Sequence, residues 1–218
     1  MADNVILNLG SGGSTVASDD IGGIQYQRVK TTFGADGVAT DVSATNPMPV
    51  SSMRTAPVKE TYSASVNALV AAALATDIFT ITGSATKTIK ITKIQIDGTA
   101  TGAAVAPVLL LKRSTANTAG TSTAPTKVPL DSNFAAATAT VLAYTANPTV
   151  GTLVGAIRQE KVLISTATTN GETVLMQFGD LTGSPIVLRG ITQVIAFNLN
   201  GVTYAGNSFN MFVEWTEE

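Results

Sequence analysis

Ser84 and Lys87 stand three apart in SATK, the spacing at which a lysine amine can take a serine proton when a helix holds both side chains on one face. The tetrapeptide falls where the flanking residues turn between two strands, so the helix that aligns such a pair is missing. Histidine and cysteine are both absent. That removes the commonest general base, the commonest metal ligand, thiol nucleophiles, disulfides and thiolate zinc sites together. Asp19-Asp20 and Glu217-Glu218 are paired only in sequence, and neighbours on an extended chain point to opposite sides. A glycosidase pair needs a set separation across a sugar cleft, so these four read as solvated charge or turn caps. Asp131, Ser132 and Asn133 offer oxygen ligands for Ca²⁺, but no EF-hand spacing follows them. GSGGS at residues 10–14 lacks the Gly-Lys-Ser/Thr ending of a phosphate loop and the strand and helix of a dinucleotide site. No catalytic residue, cofactor or metal is expected.

Two further sets carry chemistry of a milder kind. Lys87, Lys90 and Lys93 recur every third residue through a run that reads as strand, which spreads them over both faces unless a bulge intervenes. They are expected to be a solvated edge that resists strand-to-strand aggregation. Tyr62, Tyr144 and Tyr204 fall at expected strand ends or loops. There they can stack on a glycan or pack at the rim of a core with the hydroxyl in water.

The elements that position these residues divide into two parts. Residues 1–57 are punctuated by GSGGS, Gly22-Gly23, Asp36-Gly37 and NPMP, whereas residues 58–218 hold nearly all the dense apolar runs. The first part reads as an extended arm and linker and the second as a domain of roughly 160 residues, enough to bury a core of its own. Charged residues make up 13% of the chain; residues 1–60 hold four Lys/Arg against six Asp/Glu, and the remainder nine against nine. A neutral body lacks the footprint that phosphate backbones require, so direct nucleic-acid binding is not expected. The N-terminus lacks the basic start and apolar core of a secretory signal, and no run approaches membrane-spanning length. Synthesis in a cytoplasm, without membrane contact, is the expectation.

Within the arm, residues 5–9 suit a short strand. Residues 24–33 (IQYQRVKTTF) followed by GADG and VATDV suit a β-hairpin with Asp36-Gly37 in the turn. Residues 65–75 (SVNALVAAALA) fit either a short helix or a strand followed by a loop. Beyond them the pattern is β. Ile89 and Ile91 share one phase and Ile94 and Ile96 the other, which a bulge near Thr92 and Lys93 reconciles with one core. Residues 105–112 read as a buried strand with the run VLLL, and residues 114–126 as a polar loop. Further strands are expected at 138–144, 157–165, 172–178, 186–188, 193–199 and 208–216, with reversals at Asn170-Gly171 and Asn200-Gly201. The fold class is therefore all-β: an extended N-terminal arm with a β-hairpin, then an antiparallel β-sandwich, with jelly-roll-like topology preferred over an immunoglobulin-like one.

The segments VILNLGSGGSTVASDDIGGIQYQRVKTTFGADGVATDVSATNPMPV, DIFTITGSATKTIKITKIQIDG, LLLKRSTANTAGTSTAPTKVPLDSN, AYTANP, IVLRG and NSFNMFVEWTEE resemble accessory structural proteins of tailed-phage virions. The resemblance covers nearly the whole chain and supplies no catalytic motif. It implies an anchoring arm followed by an exposed β domain, with the major capsid protein or another virion protein as partner. Fixing an extended arm costs conformational entropy, which β-augmentation and apolar anchors must offset. Ile6, Leu7, Ile24, Tyr26, Val29 and Phe33 are the anchor candidates. The expected role is a capsid decoration or cement protein on the virion, forming homo-oligomers, a trimer being one form that suits a threefold lattice position. A tail, collar or baseplate component is the structural alternative. A host-glycan adhesin using loops 114–126 and 147–155 is the alternative of a different class.

Overall fold

The computed structural model describes residues 5–6, 15–16, 18–27, 32–33, 40–48, 59–166, 171–179 and 183–218. The chain divides into two units, Met1–Pro57 and Val58–Glu218. Every described sheet pairing is antiparallel, and no helix occurs among the described residues.

Among its described residues the first unit contains three two-stranded sheets. In these, β1 (Val5–Ile6) pairs with β2 (Thr15–Val16), β3 (Ser18–Ile21) with β4 (Ile24–Gln27), and β5 (Thr32–Phe33) with β6 (Thr40–Asp41). Of the hairpin expected from residue 24 onward, Thr32–Phe33 pairs with Thr40–Asp41 as expected, whereas Ile24–Gln27 pairs with the preceding β3. Ile24–Gln27 turns back onto Ser18–Ile21 because Gly22 and Gly23 both hold positive φ, 64° and 85°, as a two-residue hairpin turn requires. The expected turn at Asp36-Gly37 lies outside the described residues, as do residues 7–9 of the expected first strand.

The second unit is a β-sandwich, with twelve strands among the described residues. These are β7 (Glu60–Leu69), β8 (Ala75–Thr82), β9 (Ile89–Thr99), β10 (Ala104–Arg113), β11 (Ser122–Thr123), β12 (Lys127–Pro129), β13 (Thr140–Tyr144), β14 (Leu153–Ile164), β15 (Val174–Gln177), β16 (Ile186–Leu188), β17 (Val194–Val202) and β18 (Ser208–Glu217). One sheet runs β11-β13-β8-β17-β10-β14 and the other β12-β7-β18-β9-β15, with β16 also on β9. The pairing is nested: β7 joins β18, β8 joins β17, β9 joins β15 and β16, and β10 joins β14. Successive strands from β7 to β10 alternate between the sheets. Their inward side chains form one apolar core that includes Phe79, Ile81, Ile91, Ile94, Leu110, Phe197, Met211 and Trp215.

Residues 65–75 are not helical. Strand β7 continues to Leu69, with a bulge that holds Ala68 at φ 57°, and the turn into β8 carries Leu74 at φ 50°. Distant side chains take the backbone groups that a helix would have used. Asn207 accepts from the Ala71 N–H at 2.7 Å and donates to its carbonyl at 3.2 Å. Asn147 accepts from the Thr76 N–H at 3.0 Å and donates to the carbonyls of Ala73 and Leu74 at 3.1 and 3.2 Å. Apolar spacing alone cannot report partners some seventy or more residues away.

The four isoleucines of β9 are all buried. Lys93 faces Glu214 and Ile91 faces Trp215, so Thr92 is the extra residue of the expected bulge. Asn200-Gly201 behaves differently from expectation. Both residues have positive φ, 56° and 72°, but they form a bulge inside β17, between the Asn198–Asp77 and Val202–Ala75 pairs. The chain then crosses to the other sheet instead of reversing within one, because β18 pairs with β7 and β9.

Deleting Thr92 would return Ile89 and Ile91 to the outer phase and leave core cavities. Urea denaturation should show a loss of about 4 kcal/mol or more, or no folded protein. Thr92→Ala keeps the bulge and removes the γ-methyl together with the hydroxyl contacts to the Glu214 carbonyl and carboxylate, at 3.2 and 3.1 Å. It should cost about 1 kcal/mol.

Candidate interaction surfaces

In the first unit, Ile24 and Tyr26 are two residues apart on β4, and Ile21 pairs directly with Ile24 across the hairpin. The three therefore share one face. They are 64% (Ile21), 60% (Ile24) and 52% (Tyr26) exposed, which leaves that face open to a partner. Ile21 was not among the sequence-derived anchors; its place depends on the Gly22-Gly23 turn, which brings β3 onto β4. Phe33 is half-buried in β5 and Ile6 lies in β1, opposite Thr15. Leu7 and Val29 lie outside the described residues. None of the first-unit residues whose exposure is described is buried.

The Ser84 and Lys87 side chains do not form a dyad. The Ser84 hydroxyl oxygen accepts from the backbone N–H groups of Thr86 and Lys87 at 3.2 and 3.3 Å, closing a turn. The Lys87 ammonium pairs with Glu60. Hydrogen bonding to that carboxylate raises the lysine pKa against the effect of burial, the reverse of what a catalytic base requires. Nor do the lysines guard an edge. Strand β9 is internal to its sheet, and Lys90 and Lys93 pair with Glu218 and Glu214 on or beside β18. The Thr92 bulge is what lets residues of odd spacing share the outer face. One carboxylate oxygen of Asp131 accepts from the backbone and side-chain nitrogens of Asn133 at 2.9 and 3.1 Å, which makes a local turn.

Glu217, expected in solvent, is 2% exposed. It accepts from the Thr138 N–H (2.9 Å) and hydroxyl (2.6 Å), the Ala139 N–H (3.0 Å) and Trp215 Nε1 (2.9 Å). Burial, the largest single influence, raises its pKa. Hydrogen bonds from Thr138, Trp215 and Ala139 outweigh it and hold the carboxyl below its ordinary value. The final strand thereby pins the segment leading into β13.

On the outer face of the other sheet, Asp77 is fully buried and accepts four hydrogen bonds. Arg113 Nε and Nη2 donate at 2.6 and 2.7 Å, Asn117 Nδ2 at 2.8 Å and Asn198 Nδ2 at 2.7 Å. Arg113 Nη1 donates to the Gly151 carbonyl at 2.8 Å, and the Gly151 N–H donates to Asn117 Oδ1 at 2.9 Å. The loops after β10 and β13 are thus tied to the sheet. Tyr144, in the same cluster, is 3% exposed; burial and the charge of Asp77 raise its pKa against hydrogen bonds from Thr80 and Asn117. Tyr62 is fully buried and stacked on Trp215 at 5.9 Å, and Tyr204 is buried edge-on to Phe209. None of the three tyrosines is open to stack on a sugar.

An open cleft of about 470 Å³ runs beside β10 and β14, lined by Pro107, Leu109, Gln159, Glu160, Lys161 and Asn200. Among the described residues no group of three or more acidic side chains could hold a metal. Comparison with protein-family models, with curated proteins and with solved structures finds no match.

Asp77→Ala leaves the Arg113 charge buried without its partner and should cost about 3–5 kcal/mol in urea denaturation. The double variant Asp77→Leu/Arg113→Met should lose less than Asp77→Ala alone. Glu217 gives a pH signature. Because its folded pKa is lowered, its contribution is present above the unfolded value of about 4.3 and is lost as pH falls through the folded one. Glu217→Gln should lower the melting temperature at neutral pH and flatten this part of the acid limb; equal acid slopes in both proteins would refute the assignment.

Proposed function

We propose that this chain is a non-enzymatic structural protein of a tailed-phage virion: a capsid decoration or cement protein held to the shell by residues 1–57. Its body reads as jelly-roll-like, a reading supported by the nested strand pairing. The observation that carries the functional reading is the construction of the first unit. Two-stranded sheets are marginal in water without a packing partner, and among its described residues this unit has three of them and an exposed apolar face of Ile21, Ile24 and Tyr26. Such a unit suits docking onto a larger surface. The sequence resemblance to accessory virion proteins supplies the nature of that surface, with the major capsid protein or another virion protein as the partner.

A protein that binds only the assembled lattice shifts the assembly equilibrium by mass action, and repeated copies add avidity. Synthesis would take place in the bacterial cytoplasm, with the virion as destination. The body needs no reaction centre for this role. Its contribution is a stable exposed mass and a fixed attachment point.

Cryo-electron microscopy of virions that carry the protein tests the placement. Density on the capsid lattice with residues 1–57 against shell subunits is expected; density confined to the tail or collar would overturn decoration. In co-sedimentation with undecorated particles, deletion of residues 1–57 should abolish binding while the body keeps its circular dichroism spectrum. Ile24→Ser and Tyr26→Ser should each weaken attachment roughly tenfold or more.

A further inference from the structure

Strand β14 ends its sheet, and β10 is its sheet partner. It is twelve residues long, while the other edge strands have two (β11), three (β12), four (β15) and three (β16). Short edges are a common protection against intermolecular pairing. The long one is the exception here. At one end its open side is occupied, since Glu172 donates its N–H to the Leu163 carbonyl at 3.0 Å and accepts from the Leu163 N–H through its carboxylate at 3.1 Å. Strand alternation then turns the N–H and C=O of Lys161 and Gln159 to the same side. Pro107 lies opposite Lys161 on β10, a non-hydrogen-bonded pair in which neither residue turns its backbone groups to the other, so the missing proline N–H fits this position. Gln159 and Lys161 have no backbone partner on that side among the described residues.

The side chains along this edge are unusual for a guarded one. Leu153, Val154, Ile157 and Leu163 are 55%, 62%, 39% and 45% exposed, and Val105, paired with Leu163, is 55% exposed. Between these two apolar ends lies Arg158-Gln159-Glu160-Lys161. The Arg158 and Glu160 side chains lie on one face of the strand and pair with each other at 2.5 Å.

We propose that β14 is a self-pairing edge: a second copy of this chain docks antiparallel against it, about a twofold axis at Gln159. Charge chooses this register among those the backbone allows. An antiparallel twofold must be centred on a residue, and centring on Arg158, Glu160 or Lys161 sets that charge directly against its own copy. Centring on neutral Gln159 instead places Arg158 of each chain opposite Glu160 of the other. The two intrachain pairs then join into one alternating four-charge network. Pairing extends from residue 157 to residue 161 of each copy, with Ile157 opposite Lys161, and stops where Glu172 already holds the Leu163 edge. The contact lies wholly within the body and is independent of any attachment through residues 1–57.

Sedimentation velocity of the full-length protein over a concentration series tests this. A monomer–dimer equilibrium is expected. Arg158→Glu or Glu160→Arg, each placing like charges across the axis, should weaken dimerisation about tenfold or more. The double variant Arg158→Glu/Glu160→Arg restores complementarity and should restore the dimer. Gln159→Pro, which removes the central edge N–H, should give a monomer with an unchanged circular dichroism spectrum. If that variant misfolds, the charge reversals decide alone. A monomer at every concentration, an oligomer indifferent to the single reversals, or a double variant no better than the singles would each overturn the proposal.

Discussion

A carboxylate with no exposure to water is tolerated only when its charge is answered on every side, and Asp77 organises its half of the body on those terms. Four donors from Arg113, Asn117 and Asn198 converge on it. Two of those residues lie on strands β10 and β17, and the third lies in the loop after β10. The guanidinium then reaches the Gly151 carbonyl in the loop after β13. One charge pair thus folds two polar loops over the outer face of a sheet that would otherwise meet solvent. This is why β8 and β17 are buried in both phases over most of their length. It is also why Leu111 is buried although its neighbour Leu110 faces the core. Buried pairs of this kind contribute little net stability against an apolar replacement; what this one sets is the position of the loops.

Elsewhere the same task falls to neutral groups. With charged residues at 13% of the chain, the irregular backbone is held mainly by Asn and Thr. Asn207 and Asn147 take backbone groups from the β7–β8 turn, Asn210 accepts from the Ala68 N–H at the bulge in β7, and Thr203 accepts from the Leu74 N–H at 2.8 Å. An amide side chain offers a donor and an acceptor together, so it can stand in for a missing strand neighbour without a charge to desolvate. These contacts hold Ala68 and Leu74 at positive φ, where a residue with a Cβ is otherwise unfavourable.

Features that depend on local periodicity were legible in the sequence. The all-β class, the extra residue at Thr92 and the alternation of β18 all follow from spacing along one strand. What was not legible depends on partners far away in the chain. The Asn200-Gly201 pair has the backbone angles expected of it, yet whether it makes a hairpin or a bulge depends on which sheet receives the next strand. Tyr62, Tyr144 and Glu217 look amphipathic or solvated one residue at a time. They are buried because Trp215, Asn117 and the segment at Thr138 meet them from elsewhere. Ile21 joined the exposed face of Ile24 and Tyr26 only once the Gly22-Gly23 turn had set the register of β3 on β4.

The nested pairing also decides how the body's first strand is held. The body's first strand, β7, is an inner strand, held by β12 on one side and by β18 on the other. Its first residues carry the body's densest group of ion pairs: Lys59 meets Glu218 at 2.9 Å, Glu60 meets Lys87, and Lys90 also meets Glu218. The two oxygens of one terminal carboxylate therefore join the strand at which the chain enters the body to β9, two strands away. Each such pair is weak alone because it is partly exposed. Acting together on a strand hydrogen-bonded to β18 along its length and to β12 over Tyr62–Ala64, they oppose fraying at the start of the body.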